Sequence, residues 1–84
     1  MTVVKDIFVQ IRSINGKTYA VKHNEVFLLD GVGLEIWQLL DGQNTVMQIS
    51  EKIAEKYNKS VNDITEDVIE FINELLEDKL IEIE

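Results

Sequence analysis

The sequence predicts an α+β fold, winged helix-turn-helix-like, with an N-terminal three-stranded antiparallel sheet followed by three helices. Two observations carry this. Apolar residues alternate with period two up to residue 29 and recur with a period near 3.6 after it. The second and third helical segments are separated only by residues 58–60, the short connection of a helix-turn-helix. The 84 residues are 45% apolar and 29% charged, enough for one core and too few for a second. Residues 1–84 are therefore expected to form a single domain.

In the first strand Ile7, Val9 and Ile11 alternate with Phe8, Gln10 and Arg12. Asn15-Gly16 follows, a strong hairpin signal because both central residues of a type I′ turn need positive φ. The second strand, residues 17–23, places Tyr19 and Val21 on one face and Thr18, Ala20 and Lys22 on the other. The third, residues 25–29, is apolar on both faces, with Val26 and Leu28 opposite Phe27 and Leu29. Asp30-Gly31 ends it.

Gly33, Ile36, Trp37 and Leu40 share a face at helical spacing, and Asp41-Gly42 is the expected stop of this short helix. Trp37 is read as its core anchor. Thr45 with Gln48 forms a capping box that opens a second helix, striped by Val46, Ile49, Ile53 and Tyr57 and stopped at Asn58. Ser60 with Asp63 is a second capping signal, and a long third helix follows to about Lys79. The tail, residues 80–83, can add a short strand.

Composition excludes several chemistries. The chain has no Cys, which removes disulfides, thiol nucleophiles and Cys-ligated metal sites. Its one histidine, His23, stands beside a turn and reads as a surface residue. Glu66, Asp67, Glu70, Glu74, Glu77 and Asp78 lack the glycine-centred loop of a calcium site and read as a solvated helix face. No enzymatic activity, metal or cofactor is therefore expected. The first ten residues do not form a signal peptide, and no apolar run approaches the ~20 residues of a membrane span. No membrane partner and a cytoplasmic location are expected.

The net charge of −8 is uneven. Residues 1–22 carry four cations and one acid, whereas residues 23–84 carry four lysines and fifteen acids. Residues 61–79, the would-be recognition helix, hold seven acids and one lysine. A winged-helix nucleic-acid-binding protein is the alternative function, but that helix would repel phosphates, so no nucleic acid is expected as partner. An adaptor that binds an enzyme and no peptide is a third reading.

The third helix also carries more apolar surface than one core needs. On a helical wheel its apolar residues span about 160°, against the somewhat more than 100° of an ordinary core-facing stripe. The surplus edge holds Ile69 and Leu76, and the third strand has a surplus apolar face too. Either the two surpluses bury each other, or they line a groove in which an extended peptide completes the edge of the sheet.

The stretches "EVFLLDGVGLEIWQLLDGQNTVMQISEKIAEKY" and "DITEDVIEFINELLEDKLIEI" resemble the PqqD family. The blocks from Ile36-Trp37 to Asp41-Gly42 and from Glu66-Asp67-Val68 to Phe71 carry the likeness, which covers residues 17–83. It implies the winged-helix-like RiPP recognition element, a non-catalytic module of ribosomally made, modified peptides. Such a module binds the leader region of a precursor peptide as an added strand and presents it to a modifying enzyme. Carried over by position, the strand is Glu25, Val26, Phe27, Leu28 and Leu29. Wheel geometry adds Ile69, Ile72, Asn73 and Leu76 as the helix wall, so that Leu76→Asp or Leu76→Asn is expected to weaken leader binding. The likeness further implies a stand-alone form whose partner is a radical SAM protein or a lasso-peptide leader protease. Both blocks are generic across the wider family, which favours lasso-type or other peptide pathways over PQQ itself.

Overall fold

The computed structural model describes residues 2–83. The chain runs β1 (Thr2–Lys5), β2 (Gln10–Ile14), β3 (Lys17–Lys22), β4 (Glu25–Leu29), α1 (Gly31–Leu39), β5 (Asp41–Thr45), α2 (Val46–Tyr57), α3 (Val61–Glu77) and β6 (Ile81–Ile83). The strands form two antiparallel sheets, ordered β2-β3-β4 and β5-β1-β6.

The first sheet is the expected wing. Asn15 and Gly16 both have positive φ, 52° and 79°, and join β2 to β3 in the register Ile14↔Lys17. The β3–β4 hairpin turns through His23-Asn24 with Lys22↔Glu25 as its flanking pair. Its first strand departs from expectation. β2 starts at Gln10, and Ile7 and Phe8 belong to a turn. The Asp6 carboxylate accepts the Phe8 N–H at 2.8 Å and the Asp6 carbonyl accepts the Val9 N–H at 3.2 Å. This Asx-type turn overrides the apolar alternation of residues 7–9.

Of the second sheet the sequence pattern predicts only the tail strand, found as β6 (Ile81–Ile83); β1, β5 and their pairing are not predicted. β1 pairs with β5 and, through Val3↔Ile83 and Lys5↔Ile81, with β6. Asp41-Gly42 does end α1, but the chain then continues as a strand. Gly42 makes this approach: its φ is +80°, and a Cβ there would lie 2.8 Å from Val4 Cγ1.

The helices start and stop largely where expected. Thr45 accepts the Gln48 N–H at 3.1 Å while the Gln48 side chain accepts the Thr45 N–H at 2.8 Å, a complete capping box. Asn58 closes α2 in the left-handed region at φ 54°. Ser60 is the N-cap residue of α3, but its side chain makes no cap hydrogen bond. Lys79, at φ 60°, turns the chain out of α3, and Leu80 N–H donates back to the Leu75 carbonyl at 2.9 Å.

One apolar core joins these elements. Ala20 and Leu29 enter from the wing, Ile36, Trp37 and Leu40 from α1 and its end, Ile49 and Ile53 from α2, Val68, Ile72 and Leu75 from α3, and Val3 and Ile81 from the second sheet. Trp37 is 4% exposed, as its reading as a core anchor requires. Among the described residues no helix is long and apolar enough to cross a membrane.

Candidate peptide-binding edge

β4 is one of the two edge strands of the wing, β2 being the other, and it is the edge that meets α3 through Phe27. In a two-residue hairpin the residues flanking the loop form a hydrogen-bonded pair, and such pairs alternate along the ladder. Glu25, Phe27 and Leu29 therefore bond to Lys22, Ala20 and Thr18 of β3. The β2–β3 register fits, since Ile14↔Lys17 leaves the alternate residues of β3 for β4. The backbone N–H and C=O of Val26 and Leu28 then point away from the sheet. These are the groups an added strand needs.

The side chains of β4 divide by the same alternation. Leu29 is buried and Phe27 half-buried, both toward the core, whereas Val26 and Leu28 are exposed on the opposite face. Glu25 is exposed at the hairpin end. On α3, Phe71 meets Phe27 edge to face, with ring centroids 6.0 Å apart. Gly33 of α1 leaves room for this ring; a Cβ there would lie 3.0 Å from it. Phe71 is thus the α3 side chain shown to face β4. Beside Phe71, between α1 and α3, lies a cavity of about 220 Å³ with Val32, Gly33 and Asp67 in its wall. At the other end Glu25 and Asp78 border a second recess.

The expected helix wall lies elsewhere. Ile69, Ile72, Asn73 and Leu76 line a different cavity, of about 320 Å³, together with Val3, Val46 and Ile83. Ile69 is 44% exposed, Ile72 buried, Leu76 half-buried and Asn73 exposed. Wheel order explains the separation. Phe71 and Ile69 stand at opposite ends of the apolar arc of α3, and the end that faces β4 is the Phe71 end. Of the five strand residues Phe27 meets Phe71, and none of the five lines the cavity of these four. The two surplus apolar surfaces therefore neither bury each other nor share a groove. The sequence signal that identifies Phe71 is its place at the arc's edge, one turn from Asp67 and Leu75.

A polar clip fixes the β3–β4 hairpin against the end of α3. Lys22 Nζ lies 3.0 Å from Asp6 Oδ2 and donates to the Lys79 carbonyl at 2.8 Å. The Phe8 N–H, first, and then the Lys22 ammonium hold the Asp6 carboxyl below its ordinary pKa. A second link ties α1 to α2. Glu35 takes hydrogen bonds from Lys56 and from the Tyr57 hydroxyl, the latter at 2.6 Å, and both partners lower its pKa. Under α1, Lys5 lies over the Trp37 ring at 5.3 Å from its centroid, and burial lowers the Lys5 pKa. Every one of these charged groups is committed to holding elements together, and among the described residues no group of three or more His, Asp or Glu is placed to hold a metal ion.

A three-stranded wing followed by a helix-turn-helix pair is the fold of a solved RiPP recognition element. Three solved structures carry this fold at low sequence identity. TbiB1 in complex with the TbiA(beta) leader peptide is 23% identical, with 94% of each chain covered and a TM-score of 0.81. The PqqD portion of Methylobacterium extorquens PqqCD, described as a functional, stand-alone RiPP recognition element, is 23% identical at a TM-score of 0.80. It covers 96% of this chain and 88% of its own. PqqD from Xanthomonas campestris is 22% identical over 93% of this chain and 89% of its own, at a TM-score of 0.69. The profile of coenzyme PQQ synthesis protein D (PqqD) matches residues 16–81, and the chain belongs to the PqqD family. No curated protein sequence matches it.

Proposed function

We propose that this protein binds the leader region of a ribosomally synthesised precursor peptide and presents it to a modifying or processing enzyme, itself performing no chemistry. The observation that carries the reading is the open edge of β4, with the backbone of Val26 and Leu28 facing outward beside Phe71. A similar fold, TbiB1, was solved with a leader peptide bound. Backbone bonding alone falls short. At roughly 0.5–1.5 kcal/mol per net hydrogen bond, two residues offering both their groups supply roughly 2–6 kcal/mol. A micromolar complex needs about 8 kcal/mol. Apolar leader side chains entering the space over Phe71 supply the remainder, at about 25 cal/mol per Å² buried.

A radical SAM maturase and a lasso-peptide leader protease are the two enzyme classes proposed as partner. Calorimetry with the precursor peptide encoded beside this gene tests the reading. Stoichiometric binding of the leader, and none of the core peptide alone, is expected. Absence of binding to any neighbouring precursor, or a tight complex with duplex DNA at low salt, would overturn it.

A further inference from the structure

The edge of α3 that turns away from β4 has no part in that reading. There Ile69, Ile72, Asn73 and Leu76 enclose a cavity of about 320 Å³ against Val3 and Ile83. That is the small end of ligand-pocket volumes and suits one or two large side chains. Ile69 and Ile83 are 44% and 52% exposed, so the cavity is open to a partner. Its rim on α3 is acidic. Glu66 stands one turn before Ile69, and Glu70 and Glu77 flank Asn73 at i−3 and i+4. All three are exposed, and neither ion pair among the described residues involves them.

We infer that this cavity docks a basic amphipathic segment of a partner protein. One large apolar side chain enters between Ile69 and Ile83, and Lys or Arg side chains meet the glutamate rim. A second copy of this chain is the poorer occupant. A two-fold contact would set the same acidic helix edge against itself, in a chain whose net charge is −8. Ile69 and Phe71 are about 160° apart around the helix, so α3 would carry a peptide on one edge and the docked partner on the other.

The test is a chemical-shift titration of the ¹⁵N-labelled protein at physiological salt with a synthetic peptide of alternating leucine and lysine. A peptide with glutamate in place of lysine is the control. The lysine peptide should saturably shift the amides of Ile69, Asn73 and Ile83, and the glutamate peptide should not. Ile69→Gln, a surface change on a good helix former, should weaken binding at least tenfold with unchanged circular dichroism. A Glu66→Gln, Glu70→Gln, Glu77→Gln variant should do the same. The proposal is overturned by absent shifts at these amides, by equal binding of the two peptides, or by shifts that Ile69→Gln leaves intact. Sedimentation showing a dimer that Ile69→Gln dissolves would overturn it in favour of self-association.

Discussion

Phe27 of β4 and Phe71 of α3 meet edge to face, 6.0 Å between ring centroids, and this contact joins the wing to the last helix. It sets how far the outer strand stands from α3 and so the width of the candidate peptide site. Such aromatic pairs are worth about 0.5–1.5 kcal/mol beyond the area they bury. In a double-mutant cycle with Phe27→Leu and Phe71→Leu, the coupling energy from denaturant unfolding should fall in that range. Phe71→Leu should also weaken leader binding. Additive effects of the two changes would show that the rings do not interact.

Gly42 carries the turn from α1 into β5. Gly42→Ala meets two penalties at once: φ of +80°, and a Cβ 2.8 Å from the branched Val4 side chain. Left-handed backbone costs an L-residue roughly 1–2 kcal/mol, and displacing Val4 adds to it. Thermal unfolding should move down by several degrees, on the scale of about 4–8 °C per kcal/mol for a small domain. Gly16→Ala is the control, since its φ is +79° but nothing lies within 4 Å of its Cβ. It should cost less.

The contrast between these glycines shows what the sequence makes legible. Asn15-Gly16 joins neighbouring strands, so its signal is local, and the wing from residue 17 onward forms as the pattern predicts. The β1–β6 pairing joins opposite ends of the chain, and each strand has five residues or fewer. No turn motif announces such a pairing. Thr2–Lys5 also has no long alternation to mark it. Asp6 reshapes residues 6–9 through hydrogen bonds that a count of apolar positions does not weigh. The strand half of the candidate site was readable from its apolar character on both faces. The helix half was not, because the wheel gives an arc with two ends and only the packing of Phe71 on Phe27 says which end meets β4.

Trp37 is 4% exposed in the middle of the core, and Lys5 covers its ring. Trp37→Ala should cost about 3–5 kcal/mol, the usual range for a large buried aromatic. Stabilities of domains this small lie near the lower end of about 5–15 kcal/mol, so the variant should be largely unfolded by circular dichroism. A variant that melts normally and loses only peptide affinity would place Trp37 in the binding site instead.

Asp6 gives the clip a defined pH dependence. Its folded pKa lies below the ordinary value because the Phe8 N–H and Lys22 favour the ionised form. The sign follows: its stabilisation is present above the ordinary carboxylate pKa of about 4 and is lost as pH falls through the depressed folded value. Glu35 has the same sign. Wild-type stability should therefore fall below about pH 4. Asp6→Asn should be less stable at neutral pH and show a shallower fall in acid. Parallel pH profiles for the two proteins would remove Asp6 as a contributor.

Strand addition at β4 makes a prediction at single-amide resolution. Glu25, Phe27 and Leu29 already donate to β3, whereas the Val26 and Leu28 N–H groups face outward. In the free protein the Val26 and Leu28 amides should exchange with deuterium quickly and the Phe27 amide slowly. Bound leader should slow Val26 and Leu28 and leave Phe27 nearly unchanged, because only the outward donors gain partners. Leu28→Pro should then abolish binding by deleting one outward donor and placing a ring where the peptide backbone must come. An edge strand tolerates proline there, so the hairpin should persist, whereas Phe27→Pro removes a ladder bond and should unfold the wing. Protection that rises at Phe27 but not at Val26 and Leu28 would mean that the leader docks through side chains alone and adds no strand.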